Sequence, residues 1–256
     1  LSSAVKLRQS RREVKQLQTR LEALSESDKD APLMIGESKA MQEVFASIHQ
    51  LSNTDANILI LGENGTGKDL VARSLRHFSS RQQAPFITID LGSVPESLFE
   101  SELFGYEKGA FTDARKAKAG RMEVASGGTL FLDEIGNLSL AMQSKLLTAI
   151  EKRQISRLGA TRSIPINIRL ICATNANIRQ MVEDGTFRQD LLYRINTVEI
   201  HIPPLRERGE DVILLAEYFL KRYSHKYKKN IQGLTKEAQQ KLMRYQWPGN
   251  VRELQH

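Results

Sequence analysis

The stretch Gly62–Glu63–Asn64–Gly65–Thr66–Gly67–Lys68–Asp69 has the composition and spacing of a phosphate cradle, Gly62-x4-Gly67-Lys68. Glycines let the backbone curl so that successive N–H groups face phosphate oxygens. A helix that starts at the lysine adds its partial positive charge, and Lys68 reaches the β- and γ-phosphates. The Ser or Thr that usually follows this lysine and helps hold Mg²⁺ is Asp69 here. A second chemical pair, Asp133–Glu134, ends the apolar run Gly128–Thr129–Leu130–Phe131–Leu132. Beside a phosphate cradle, such a strand tip lies next to the bound nucleotide. Asp133 would hold Mg²⁺, mostly through water, and Glu134 would orient and polarise an attacking water. Taken alone, two adjacent carboxylates also fit an ordinary turn.

Three further groups could take part. Thr174–Asn175 follow the apolar run Leu170–Ile171–Cys172–Ala173, where a neutral polar tip can hold water or sense a γ-phosphate without adding charge. Arg188 and Arg194 stand six apart; on an outer edge they could reach a neighbouring subunit's γ-phosphate and stabilise the charge of phosphoryl transfer. An ion pair of Arg188 with Asp190, worth little, is the other reading. Arg252 could fold over the phosphates of its own chain, or be a solvated arginine at a helix start.

These groups need a scaffold, and the pattern supplies one. Apolar, β-prone runs at 57–61, 85–90, 128–134, 166–175 and 198–202 predict five strands. Helical spacing occurs over 38–48, 70–75, 95–100 and 138–152, so strands alternate with helices. That order predicts a mainly parallel sheet covered on both faces. Ile155–Leu158 and Ile166–Asn175 flank Gly159–Arg162, which predicts a hairpin running into the fourth core strand. After Pro203–Pro204 only helices are expected, over 211–223, 236–245 and from 247 onward, which places a boundary near 204. Residues 1–25 carry Leu7, Val14 and Leu21 at heptad spacing with Leu17 and Leu24 between, a short coiled-coil pattern broken by Ser10. A polar linker is expected over 26–33.

The chain has 256 residues, 40% hydrophobic and 26% charged, enough for a substantial core. The net charge of +7 gathers in the first 30 residues and after 203; the stretch between is balanced. The basic run Lys221–Lys229, with Tyr223 and Tyr227 interleaved, fits a nucleic-acid face or, as we prefer, the solvated C-terminal end of an amphipathic helix. No apolar run reaches about 18 residues and the N-terminus lacks an apolar core, so neither a membrane span nor a signal peptide is expected. The single cysteine, Cys172, lies in an apolar run and reads as buried and inert. A cytoplasmic protein fits these features.

Taken together, the segments resemble one family closely, the AAA+ ATPase domain of bacterial sigma-54-dependent transcription activators of the response-regulator type. The resemblance rests on Gly62–Asp69, Glu102–Ala114, Gly127–Ile135, Phe187–Arg194 and Trp247–Leu254, and runs from about Met34 to the end. An acidic residue after the cradle lysine is usual in that family, so Asp69 supports it.

The resemblance implies a P-loop α/β domain over 34–203 and a small helical lid over 204–256 that is incomplete. It implies ATP and Mg²⁺ as cofactors and a homo-oligomeric ring, hexamer or heptamer, with a dimer as the inactive form. Nucleotide contacts fall to Ile35 and Gly36, to Gly62, Glu63, Asn64, Gly65, Thr66, Gly67, Lys68 and Asp69, and to Arg252 as sensor II. They also fall to Ala125, Ser126, Gly127, Gly128, Thr129, Leu130, Phe131, Leu132, Asp133 and Glu134. Thr174–Asn175 become sensor I, Arg188 and Arg194 the fingers acting in trans. The loop Gly109, Ala110, Phe111, Thr112, Asp113, Ala114 becomes the contact to sigma-54 RNA polymerase, through which hydrolysis would remodel the closed promoter complex. Two positions depart from the family: its loop carries glycine where Asp113 stands, and an asparagine that restrains the catalytic glutamate is Asp90. The alternative reading, marked by Asp113, is a regulator that assembles with nucleotide but does not engage sigma-54. The family's usual helix-turn-helix and receiver fall outside this sequence, so no sequence-specific DNA binding is expected within it.

Overall fold

The structure is a computed structural model that describes residues 34–256; the helix expected over 1–25 and the linker over 26–33 lie outside the described residues. Helix α1, Lys39–Ser52, starts where the Ser38 side chain accepts from Met41 N and turns Met41, Val44 and Ile48 inward. Strand β1, Ile58–Leu61, leads into the glycine loop and helix α2, Lys68–His77. Strand β2, Phe86–Asp90, and helix α3, Glu96–Phe104, follow. Two short strands, β3, Gly105–Tyr106, and β4, Lys118–Ala119, pair antiparallel and frame the loop between them. A single helical turn, α4, Arg121–Val124, precedes β5, Thr129–Asp133, and a 3-10 turn, Ile135–Asn137, leads to α5, Leu140–Lys152.

The expected hairpin forms, but not as one piece with the core strand. β6, Gln154–Ser156, pairs with β7, Ser163–Pro165, and only after a break does β8, Arg169–Thr174, enter the main sheet. Ile166 N still donates to Arg153 O at 2.9 Å beyond Pro165, and residues 166–168 then separate the hairpin from β8. Helices α6, Ile178–Glu183, and α7, Gln189–Ile195, lead to β9, Val198–His201.

The five long strands form one parallel sheet in the order β2-β5-β8-β1-β9. Alternation along each strand splits the core in two. Leu59, Leu130, Leu132, Leu170 and Cys172 face one side, where α3, α5 and α7 pack. Ile58, Ile60, Phe131, Ile171 and Ala173 face the other, against α1 and α2. Strands buried on both faces read as continuous apolar runs, which is why they were legible. Cys172 is fully buried and its thiol is pushed up by that burial.

After a 3-10 turn at Leu205–Glu207 the chain is helical: α8, Asp211–Lys226, α9, Lys236–Arg244, and α10, Asn250–Gln255. Leu205, Val212, Leu215, Phe219 and Trp247 form this lid's own apolar cluster, and Ile35 packs against it. The basic run closes α8, with Lys226 over the Tyr227 ring at an exposed end. Among the described residues no helix is long and apolar enough to cross a membrane.

Candidate functional site

Parallel strands deliver their C-terminal ends to one edge of the sheet, and the chemistry gathers there. The loop after β1 is tied to the tip of β8 by Gly62 N donating to Thr174 O at 3.3 Å. Gly65 and Gly67 have φ of 79° and 102°, conformations that side chains resist, and they let the loop wrap onto α2. Lys68 opens α2 and is 6% exposed. Its Nζ lies 3.1 Å from Gly62 O and 3.5 Å from both Glu63 O and Glu134 Oε1. Asp69 stands exposed in the first turn of α2, where an acid suits the helix dipole.

Asp133 ends β5 in register with Asp90 at the end of β2. Burial raises its carboxyl above the usual range; Lys68 opposes this, Glu134 and Asp90 add to it, and a bond from Glu134 N at 3.0 Å lowers it. A half-buried carboxylate offering only oxygen suits Mg²⁺, which keeps much of its water and takes phosphate oxygens besides. Glu134 has φ 55° and ψ 48°, a left-handed conformation costing about 1–3 kcal/mol for a residue with a side chain. The strain aims its carboxylate between Lys68 and Asn175 N, the latter 3.4 Å from Oε2. Asp90 turns its Oδ1 to Gly92 N at 2.9 Å, so a bond within its own turn satisfies the carboxylate that departs from the family pattern.

Of the sensor pair, Asn175 is exposed at the site and Thr174 is buried, its Oγ1 accepting from Ala176 N at 3.1 Å. Arg252 meets the phosphate loop through its main chain, N to Gly65 O at 3.3 Å, and its side chain is exposed. Arg188 caps the start of α7 and Arg194 lies in its last turn, exposed at the surface. Arg188 pairs with Asp190 through two bonds of 3.0 and 2.6 Å, the ion pair the sequence offered as the alternative.

One expected set is not brought together. Ala125, Ser126, Gly127, Gly128 and Thr129 lie at the opposite end of the sheet, where β5 begins: Gly127 N donates to Asn167 O, and Thr129 N to Pro85 O. Leu130, Phe131 and Leu132 are core residues. Five residues of strand span about 13 Å. Of that stretch only Asp133 and Glu134 reach the site. Ile35 and Gly36 run past the lid, with Gly36 against Met41 and Asp211.

The loop framed by β3 and β4 folds on itself through Gly109 N to Ala114 O at 2.8 Å and Ala114 N to Phe111 O at 2.9 Å. Ala114 is buried, Thr112 and Asp113 are exposed, and Phe111 is 44% exposed with its ring edge-on to Tyr106, 4.8 Å between centroids. Ala110 nests against Gly159 of the β6–β7 hairpin, where a Cβ on the glycine would come within 3.0 Å.

Sequence reasoning missed the polar residues that seat the lid. Buried Asp211 accepts from Glu37 N, Ser38 N and Ser38 Oγ at 2.7, 3.0 and 2.6 Å. Buried Arg208 donates to Thr66 O at 2.8 Å and Pro203 O at 3.0 Å; burial brings its pKa down to about 10, against the pull of Asp211. Asn250 is fully buried. The only sequence signal was charge at Arg208 and Asp211 next to an apolar helix, which equally describes a solvated helix start.

A glycine cradle at the end of β1, an acid pair at the end of β5, a polar tip on β8 and a helical lid define a nucleotide-binding domain of the AAA+ kind. Comparison with known proteins agrees. The family described as "Sigma-54 interaction domain" matches residues 34–201, and "AAA+ ATPase lid domain" matches 206–256. The chain belongs to the sigma-54 interaction domain family. It is 46% identical over 255 residues to the Nif-specific regulatory protein of Herbaspirillum seropedicae, covering 100% of this chain and 46% of that one. It is 49% identical over 223 residues to the transcriptional regulatory protein ZraR of Salmonella typhimurium, covering 87% and 51%. Thus the chain spans about half the length of the curated relatives it matches. Among solved structures, NtrX of Brucella abortus in complex with ATP superposes with a TM-score of 0.82 at 31% identity, covering 99% of this chain and 54% of that one.

Proposed function

We propose that this chain hydrolyses ATP in a homo-oligomeric ring, hexamer or heptamer, and uses the cycle to remodel sigma-54 RNA polymerase. The observation that carries the reading is the convergence of Lys68, Asp133 and Glu134 at one sheet edge. The loop N–H groups and Lys68 bind the phosphates of ATP. Glu134 orients a water toward the γ-phosphorus and accepts its proton as the bond to the β-phosphate oxygen breaks. Asp133 would hold Mg²⁺, whose charge would offset that of the phosphates. Asn175, beside Glu134, positions the water. Arg188 and Arg194 reach the neighbouring subunit's γ-phosphate, which requires Arg188 to leave Asp190. The exposed Phe111 loop, Gly109–Ala114, is the output that meets sigma-54, and a cytoplasmic location belongs to the same reading.

The test mixes the protein with sigma-54 and a transition-state analogue of ATP. A trapped ternary complex is expected. Ring formation without the complex would contradict the remodelling role and favour nucleotide-dependent assembly without sigma-54, the reading that Asp113 marks. Loss of the trapped complex on Phe111→Ala, with ATP turnover retained, is the expected control.

A further inference from the structure

Four successive residues of the phosphate loop are each bonded to the lid. Glu63 takes Arg206 through a forked pair, Nη2 to Oε1 at 2.6 Å and Nη1 to Oε2 at 2.9 Å. Asn250 Nδ2 donates both to Glu63 Oε2 at 3.1 Å and to Asn64 O at 3.0 Å, while its Oδ1 accepts from Leu205 N at 2.7 Å. Gly65 O accepts from Arg252 N, and Thr66 O from Arg208. At Gly65 the two backbones touch: a Cβ there would lie 2.2 Å from Gly249 O. Positive φ at Trp247 and Asn250, 51° and 52°, shapes the turn that presents Gly249.

The charge in this contact has a consequence for the ligand. A carboxylate at the second position of a cradle for polyphosphate is repulsive unless neutralised. Glu63 is held ionised, its pKa brought down to about 2 by the bonds from Arg206 and Asn250. The Arg206 fork supplies the compensating charge in bidentate geometry.

We propose that Arg206 is a positioning residue for nucleotide: it neutralises Glu63 and fixes the carboxylate toward the lid, so that the loop binds a triphosphate more tightly while this pair is made. The inference rests on reading the loop as an ATP site. It predicts that lid and phosphates communicate through Glu63 as well as through Arg252.

The experiment measures ATP affinity by isothermal titration for wild type, Lys68→Ala, Arg206→Ala, Glu63→Gln and the double variant Glu63→Gln/Arg206→Ala, with thermal unfolding as the control for folding. Arg206→Ala is expected to weaken ATP by about fivefold or more at low salt, with a smaller loss at high salt. Adding Glu63→Gln is expected to restore most of the affinity, because Gln removes the repulsion and keeps an acceptor for Asn250. Unchanged affinity in Arg206→Ala would overturn the proposal. So would a double variant no better than Arg206→Ala, which marks a merely structural pair. A wild type that binds no ATP would overturn the site reading, and the role of Arg206 with it; wild-type binding that is lost in Lys68→Ala upholds the site reading, so that an unchanged Arg206→Ala then counts against the role of Arg206 alone.

Discussion

The Nζ of Lys68 and the Oε1 of Glu134 lie 3.5 Å apart although they follow strands β1 and β5, which are separated in the sheet by β8. The tip of β8 fills the gap, its Asn175 N–H meeting the other oxygen of Glu134. The cradle cation and the proposed base thus hold each other.

Lys68 also depresses the raised carboxyl of Asp133. Lys68→Met should push the Asp133 pKa higher still, read by carbon-detected NMR titration of aspartate side chains; an unmoved titration would contradict the coupling. The pH consequences run in opposite senses. A carboxyl whose folded pKa is raised costs stability when ionised, and the cost fades as pH falls through that pKa. Glu63 is the reverse: its folded pKa of about 2 against 4.5 gives stability present above 4.5 and lost as pH falls toward 2. Lid attachment should therefore weaken in that acidic window and be indifferent above it.

Arg188 and Asp190 are both exposed, so their pair contributes little to folding. Arg188→Ala should leave the unfolding midpoint where it is and lower ATP turnover about a thousandfold, the scale of a lost arginine finger. Full turnover in the variant would reject the action in trans.

Arg169 is 1% exposed and donates to Leu51 O and Ser52 O at the end of α1 and to Leu75 O in the last turn of α2, the helix that begins at Lys68. Burial lowers its pKa, with the Asp55 charge opposing. Arg169→Met should cost about 3 kcal/mol in denaturant unfolding, because three carbonyls lose a charged donor. A loss within about 0.5 kcal/mol would show that water replaces the guanidinium.

The sequence made the sheet readable because β1, β5 and β8 are buried on both faces and so carry unbroken apolar runs. The phosphate loop was equally legible: its glycines answer a backbone requirement that only glycine meets cheaply, as φ at Gly65 and Gly67 shows. Two kinds of feature escaped. Strand direction decides which end of β5 faces the ligand, and carrying a whole motif over as contacts placed Ala125–Thr129 wrongly. Long-range polar partners such as Glu63–Arg206 and Ser38–Asp211 leave no periodic trace, since their residues are 143 and 173 apart. Arg169, central to the packing of α1 and α2, reads in sequence as one more charge at a strand start.

The central claim is that Glu134 activates water for hydrolysis at the Lys68 cradle. The most direct measurement compares phosphate release and ATP affinity for wild type and Glu134→Gln. The account predicts unchanged or tighter ATP binding with turnover reduced by at least about a hundredfold, as for loss of a general base. Turnover near wild type in Glu134→Gln would contradict it.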